Sequence, residues 1–344
     1  MDRTAVEIAL GRVVLAGLVA RGRTRVHVGS ATAPAPMGWN RRQLVAAAVQ
    51  WDMRPVGGLP EFTDRLTAVM DAAHHVGAAL MVFPEDVGLC LLGLVTRYGG
   101  PRSAESLSAS DASRYLSAWA PLVAPLYEEC FRWAARNYGM VVVAGSSVYR
   151  RRSGVFNQAV VFGPDGRLVL RQPKLHPMPL ERSWGVRPGS RLDRPGGLAM
   201  PLGIAVCHDA SFFETYRMAG AQGAEVMAIP SADPDPDWSE AKARRGAWAR
   251  SQETGMASVV AAGTGELYGV PFTGKAGLYI PRELSADGSG VVAESREAHG
   301  EGIVAGVLDL DTLARFRQEA RPAPAPELLR AWLLPRYRSL TTLT

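Results

Sequence analysis

Between residues 43 and 308 the chain alternates short apolar runs with stretches of helical spacing, and that alternation limits the fold more than any other feature. The runs 44–49, 80–83, 140–145, 202–206, 226–229, 258–262, 278–280, 291–293 and 303–308 read as strands. Residues 61–75 have helical spacing, with Phe62, Leu66, Val69, Met70 and Ala73 on one face. Residues 112–137 read as a helix broken or bent near Pro121 and Pro125, and 214–222 and 239–254 as two further helices. Runs 155–162 and 168–170 flank Gly163-Pro164-Asp165-Gly166, a hairpin signal. Strands and helices that alternate, with a hairpin interposed, predict a layered α/β sandwich with mixed sheets. The sequence has no G-x-G-x-x-G after a strand and no G-x-x-x-x-G-K-[ST], so the usual phosphate cradles are absent.

Three segments are expected. Residues 1–38 read as an N-terminal extension, ending in the linker composition from Gly29 to Pro36, with Met37 as an alternative start. Residues 39–318 form the main domain, and 319–344 a Pro-punctuated tail with a short helix over 327–333. Hydrophobic residues at 47% and charged residues at 21% fit a globular protein. A net charge of +5 over 344 residues is mild. The Arg clusters at 21–25 and 150–152 read as solvated surface, so no nucleic-acid partner is expected. No apolar run reaches membrane-spanning length. The run 13–20 is flanked by Arg12 and Arg21 with Glu7 upstream, a poor signal peptide. A cytoplasmic protein without a membrane partner is expected. Three cysteines are too few for a disulfide framework, and neither they nor the six histidines have metal-ligand spacing; no metal or other cofactor is expected.

Three polar residues stand where apolar strands end. Glu85 follows Leu-Met-Val-Phe-Pro, Lys174 follows the hairpin's second strand, and Cys207 follows Leu-Gly-Ile-Ala-Val. The carboxyl ends of strands are where α/β folds bind ligands. A carboxylate, an ammonium and a thiol delivered there suit nucleophilic catalysis. The ammonium and a helix start would favour thiolate, and the carboxylate would take the thiol proton and later activate water. Lys174 and a backbone N–H after Cys207 would hold the oxyanion. Of 38 basic residues only Lys174, Lys242 and Lys275 are lysine. A compact ammonium suits a single oxygen better than a guanidinium does.

Phe83-Pro84-Glu85, Lys174-Leu175-His176 and Val206-Cys207-His208-Asp209, in this order, resemble the three signatures of the nitrilase superfamily of carbon–nitrogen hydrolases. Glu214, Gly223-Ala224, Pro230-Ser231 and Phe272-Thr273-Gly274 resemble its secondary landmarks. The resemblance spans about residues 43–310. It implies an α-β-β-α sandwich that pairs into a homodimer or larger homo-oligomer, and a catalytic triad of Glu85, Lys174 and Cys207. It also implies that Glu181 orients the lysine. The activity implied is hydrolysis of an amide or N-carbamoyl group in a small molecule through a cysteine thioester. Asp209, two residues after the cysteine, resembles amidases and carbamoyl hydrolases more than nitrile hydrolases. A nitrile hydrolase and a catalytically idle scaffold are the alternatives. Three positions depart from the pattern: Phe213 where proline is common, Ala276 where serine is common, and His208 after the cysteine.

The remaining candidates have plainer readings. His208 reads as pocket lining or surface, and Trp184 and Trp238 as rimming the pocket or as plain packing. Asp209 is expected to cap the following helix. Cys90 and Cys130 read as core, and Lys242, among Arg and Glu on a helix, as solvated surface.

Overall fold

The computed structural model describes residues 38–96 and 108–319 and, beyond them, only positions 327 and 331. The expected extension 1–38 and tail helix 327–333 therefore fall almost wholly outside the described residues. So does much of the loop after Glu85.

The strands are β1 (Leu44–Met53), β2 (Leu80–Val82), β3 (Val141–Arg151), β4 (Gly154–Phe162), β5 (Leu168–Pro173), β6 (Leu202–Ile204), β7 (Val226–Ser231), β8 (Ala257–Leu267), β9 (Val270–Phe272), β10 (Gly277–Tyr279), β11 (Val291–Glu294) and β12 (Gly302–Leu308). The longer helices are α1 (Leu59–His75), α2 (Ala109–Tyr138), α3 (Phe213–Ala221), α4 (Ala249–Thr254) and α5 (Leu310–Glu319). One layer runs β12-β1-β2-β3-β4-β5; β1, β2 and β3 are parallel and the other pairs antiparallel. The second runs β6-β7-β8-β10-β11, with β6, β7 and β8 parallel. The layers share a seam: Gln50–Met53 of β1 pair in parallel with Ala262–Gly265 of β8.

Side-chain alternation explains the layering. Ala46 and Ala48 of β1 join Val143, Ile204, Ala228 and Val259 in an apolar core drawn from both sheets. Ala47, Val49 and Trp51, one residue out of phase, join Phe62, Leu66 and Met70 of α1 and Phe131 of α2. Tyr216 and Ala219 of α3 cover Met227 and Ile229 on the second sheet. Helix, sheet, sheet and helix are thus the expected α-β-β-α sandwich. Strands buried on both faces read as near-continuous apolar runs, which is why their sequence signal was strong. Among the described residues no helix is long and apolar enough to cross a membrane.

One helix expectation is narrowed and one needs correction. Of a break or a bend at Pro121 and Pro125, the break is excluded: α2 continues through both, and both lie on its exposed side. Proline deprives the carbonyl four residues earlier of its donor. At Ser117 that carbonyl accepts instead from Arg150 Nη1 at 3.3 Å, and a buried face on both sides of the prolines anchors the helix. The helix expected over 239–254 does break. Gly246 leaves helical geometry (φ −96°, ψ −119°) inside a π-helical turn, Arg244–Trp248, that precedes α4. Sequence reading also missed β9 and α5, which are short or lie beside the Pro-punctuated tail.

Candidate active site

Each of the three strand-end residues is aimed by local backbone constraints. Phe83 N–H donates to the Val143 carbonyl at 2.9 Å and Ser146 N–H to the Pro84 carbonyl at 3.2 Å, which carries the chain past β2 to Glu85. That close approach requires Gly145, at φ +77°, where a Cβ would lie 2.0 Å from the Pro84 carbonyl oxygen. Lys174 leaves β5 with its N–H donated to the Asn157 carbonyl on β4 at 2.9 Å. Cys207 follows β6 at φ 46°, a left-handed conformation rare for a residue with a side chain, and opens a single turn, Cys207–Ser211. Strain of this kind is retained where surrounding structure holds the residue in place.

The three side chains line one cavity of about 270 Å³. Lys174 Nζ lies 2.6 Å from Glu85 Oε1 and 2.6 Å from Glu181 Oε2, and the lysine is only 2% exposed. Asn157 Nδ2 donates to Glu85 Oε1 at 2.8 Å and to Glu181 Oε1 at 2.9 Å, tying the two carboxylates together. Glu181 is itself set by Met178 N–H, which donates to Oε2 at 2.7 Å at the start of the short helix Pro179–Ser183. The Cys207 thiol lies beside the Glu85 carboxyl group in the same cavity. Ser231 Oγ donates to its sulfur at 3.3 Å, and the Ala232 N–H points to it from the end of β7.

The electrostatics correct one expectation. Burial pushes the Cys207 thiol well above its ordinary pKa, and the Glu85 carboxylate adds to this. Lys174 and the donors from Ser231 and Ala232 pull the other way without cancelling it. The helix start contributes little, because one short turn follows Cys207 and α3 begins only at Phe213. The surroundings thus disfavour a standing thiolate at Cys207 and set the Glu85 carboxyl group beside the thiol. Burial also raises Glu85, against the pull of Lys174. Burial disfavours the Lys174 ammonium, but Glu85, Cys207 and Glu181 outweigh it and hold the lysine well above its ordinary value.

Asp209 does not cap α3. It is buried at 1% exposure and faces the lysine loop. Its carboxylate accepts from Val206 N–H (3.2 Å), Leu175 N–H (3.1 Å), His176 N–H (2.7 Å) and His176 Nδ1 (2.9 Å). One side chain thus ties the segment after Lys174 to the residue before Cys207. Lys242 is not free surface either: it lines the cavity, with Nζ 2.8 Å from Asp233 and 2.5 Å from Asp235. Its position on a broken helix turns it inward. His208, Trp184 and Trp238 all line the cavity. His208 meets Phe212 edge-on at 5.1 Å, and burial followed by the neighbouring cations lowers its pKa. Cys90 and Cys130 are buried in the core and pushed up to about 12. Sequence reading missed Asn157; the one available signal was a polar Asn-Gln pair inside the apolar run 155–162. Among the described residues no group of three His, Cys, Asp or Glu is disposed to hold a metal ion.

A family model described as carbon-nitrogen hydrolase matches residues 45–318. The chain is similar to the probable hydrolase YhcX of Bacillus subtilis, with 25% identity over 278 residues, covering 78% of this chain and 50% of that protein. The chain thus spans about half the length of that relative. It is also similar to the deaminated glutathione amidase of Synechocystis sp., with 25% identity over 204 residues, covering 56% of this chain and 67% of that protein. Among solved structures, an amidase from Nesterenkonia sp. shares the fold with a TM-score of 0.61 at 21% identity, covering 86% of this chain and 98% of that one.

Proposed function

The chain belongs to the carbon-nitrogen hydrolase family, and from that premise we propose that it hydrolyses an amide or N-carbamoyl group of a small molecule, with Cys207 as nucleophile, Glu85 as acid and base, and Lys174 as oxyanion partner. One observation carries the reading: three strand ends deliver a thiol, a carboxylate and an ammonium to one cavity, with Lys174 Nζ 2.6 Å from Glu85. The amidases among the similar proteins support the choice of amides.

The steps follow from the geometry. Glu85 takes the proton from Cys207 as sulfur bonds to the carbonyl carbon, and the C=O π pair moves to oxygen. Transferring that proton during attack avoids a buried thiolate at rest. Lys174, held by Glu85 and Glu181, and a backbone N–H after Cys207 stabilise the oxyanion; such donors are worth about 10²–10³ in rate each. Collapse breaks the C–N bond, Glu85 returns its proton to nitrogen, and ammonia or an amine leaves. Glu85 then takes a proton from water, whose oxygen attacks the thioester. Collapse breaks the C–S bond, and the proton goes back to sulfur as the acid leaves. Glu181 and Asn157 are positioning residues that keep Lys174 and Glu85 in register.

Ammonia release from a panel of aliphatic amides, ω-amides, N-carbamoyl amino acids and nitriles tests the reading. Turnover of amides or carbamoyl compounds is expected, with Cys207→Ser at background. Turnover of nitriles alone, or full activity in Cys207→Ser, would overturn it.

A further inference from the structure

Of the chain's 38 lysine and arginine residues only three are lysine, and all three line the catalytic cavity. Lys174 is held by Glu85 and Glu181, and Lys242 by Asp233 and Asp235. Lys275 has no such partner. Among the described residues its ammonium forms no hydrogen bond and no ion pair, and it lies 4.5 Å over the ring of Trp238, itself on the cavity wall. A ring face attracts an ammonium without neutralising its charge. The side chain is half-buried, and its loop is tied down on both sides. Thr273 Oγ1 donates to the Asp235 carbonyl at 2.9 Å, and Gly274 N–H to the Ala298 carbonyl at 3.2 Å.

A second unpaired cation lines the same cavity. Arg245 lies in the π-helical turn, just before the break at Gly246, and is exposed. Its neighbour Arg244 pairs with Glu240 and Glu294, whereas Arg245 forms no ion pair and no hydrogen bond among the described residues. Its charge is felt beside the nucleophile: burial first, and then Lys174, His176 and Arg245, lower the His208 pKa against the pull of Asp209. The acids of this wall do not cancel the two cations. Asp233 and Asp235 hold Lys242, and the exposed Asp237 pairs with neither Lys275 nor Arg245. The inner end of the cavity offers an anion nothing, because Glu85 and Glu181 both engage the one ammonium there, Lys174. Low-dielectric walls concentrate the field of the charges that line them. An anionic group is therefore turned away from the inner end and attracted to the wall that carries Lys275 and Arg245.

We propose that Lys275, together with Arg245, binds a carboxylate at the end of the substrate remote from the scissile group. This assignment rests on the amide-hydrolase reading and names its substrate class, amides whose far end is an anion. The unequal charge of the two ends of the cavity gives such a substrate one orientation, with its carboxylate towards Lys275 and Arg245 and its amide towards Cys207.

Matched amides test it. Succinamate, glutaramate and adipamate carry the carboxylate at three distances from the amide; butanamide, pentanamide and hexanamide carry methyl in its place. For at least one pair the wild-type kcat/KM should favour the carboxylate member by about fivefold or more, and the preference should shrink as salt is raised. In Lys275→Met and in Arg245→Gln that ratio should fall towards one. A smaller wild-type preference in all three pairs, or a ratio unchanged in either variant, would overturn the assignment. The wild-type ratios and their salt dependence decide alone if a variant does not fold. Release of ammonia from the methyl series without that preference removes the Lys275 assignment and leaves the amidase reading standing. Release from none of these amides removes it as well, and inertness towards the wider panel of amides and carbamoyl compounds removes the amidase reading with it.

Discussion

Replacing Asp209 by alanine should cost both stability and site geometry, by an amount that the structure allows to be worked out. Its carboxylate accepts from the Val206, Leu175 and His176 N–H groups, and the His176 ring adds a further contact. The Val206 N–H is fully buried, so stranding it costs about 1–3 kcal/mol. Leu175 and His176 are half-buried, so water partly replaces the lost acceptor and each bond costs about 1 kcal/mol. The sum is roughly 3–5 kcal/mol, a large share of the about 5–15 kcal/mol that holds a typical domain folded. With a urea dependence of about 3 kcal/mol per molar, the midpoint should fall by about 1 M or more. Turnover measured well below that midpoint should fall too, because the loop after Lys174 loses its tie to the residue before Cys207. A loss under about 1 kcal/mol together with unchanged turnover would refute the view that Asp209 couples the two segments.

Other perturbations follow from the same contacts. Lys174→Arg places a planar fork where a single Nζ fits 2.6 Å from each of two carboxylates; turnover should fall at least about 100-fold, and near-wild-type ammonia release would contradict the point-charge role. Glu85 accepts the thiol proton only when ionised, and burial raises its pKa despite Lys174. Activity should therefore be lost as pH falls, with an inflection above about 4.3, the ordinary glutamate value, and Glu181→Gln should lower that inflection by removing a neighbouring negative charge. A kcat/KM profile inflecting at or below the ordinary value would refute this. Pro125→Ala, on the exposed side of α2, restores a helix hydrogen bond and should raise the melting temperature; calorimetry showing a lower one would refute the reading of the prolines as a tolerated cost.

How much of this was legible in the sequence depends on the range of the interaction. The strands could be read because each is a local apolar run, and the central ones are buried on both faces. Glu85, Lys174 and Cys207 could be read because each ends such a run, so a local pattern marked a site assembled over long separations. Glu181 needed the resemblance, since its loop has no strand to mark it. Asn157 was hidden mid-strand; its role exists only because β4 lies beside β5 and brings its amide between two carboxylates. Asp209 looked like a cap because its partners, Leu175 and His176, are more than thirty residues away in sequence. Lys242 looked like surface because nothing local announced the break at Gly246. The upward push of burial on the Cys207 thiol was not legible for the same reason: it is a property of the whole fold. The prolines of α2 left a break open in the sequence, since propensity weighs one turn and packing weighs the full buried face.

The most direct test of the proposed chemistry is to trap the covalent intermediate. The full-length protein is mixed with an amide substrate, quenched in acid within the first turnovers, and digested for peptide mass measurement. An acyl adduct of the substrate's mass on the peptide containing Cys207, absent in Cys207→Ser and absent from the Cys90 and Cys130 peptides, is the predicted result. Substrate turnover with no adduct on Cys207 and undiminished hydrolysis in Cys207→Ser would contradict it.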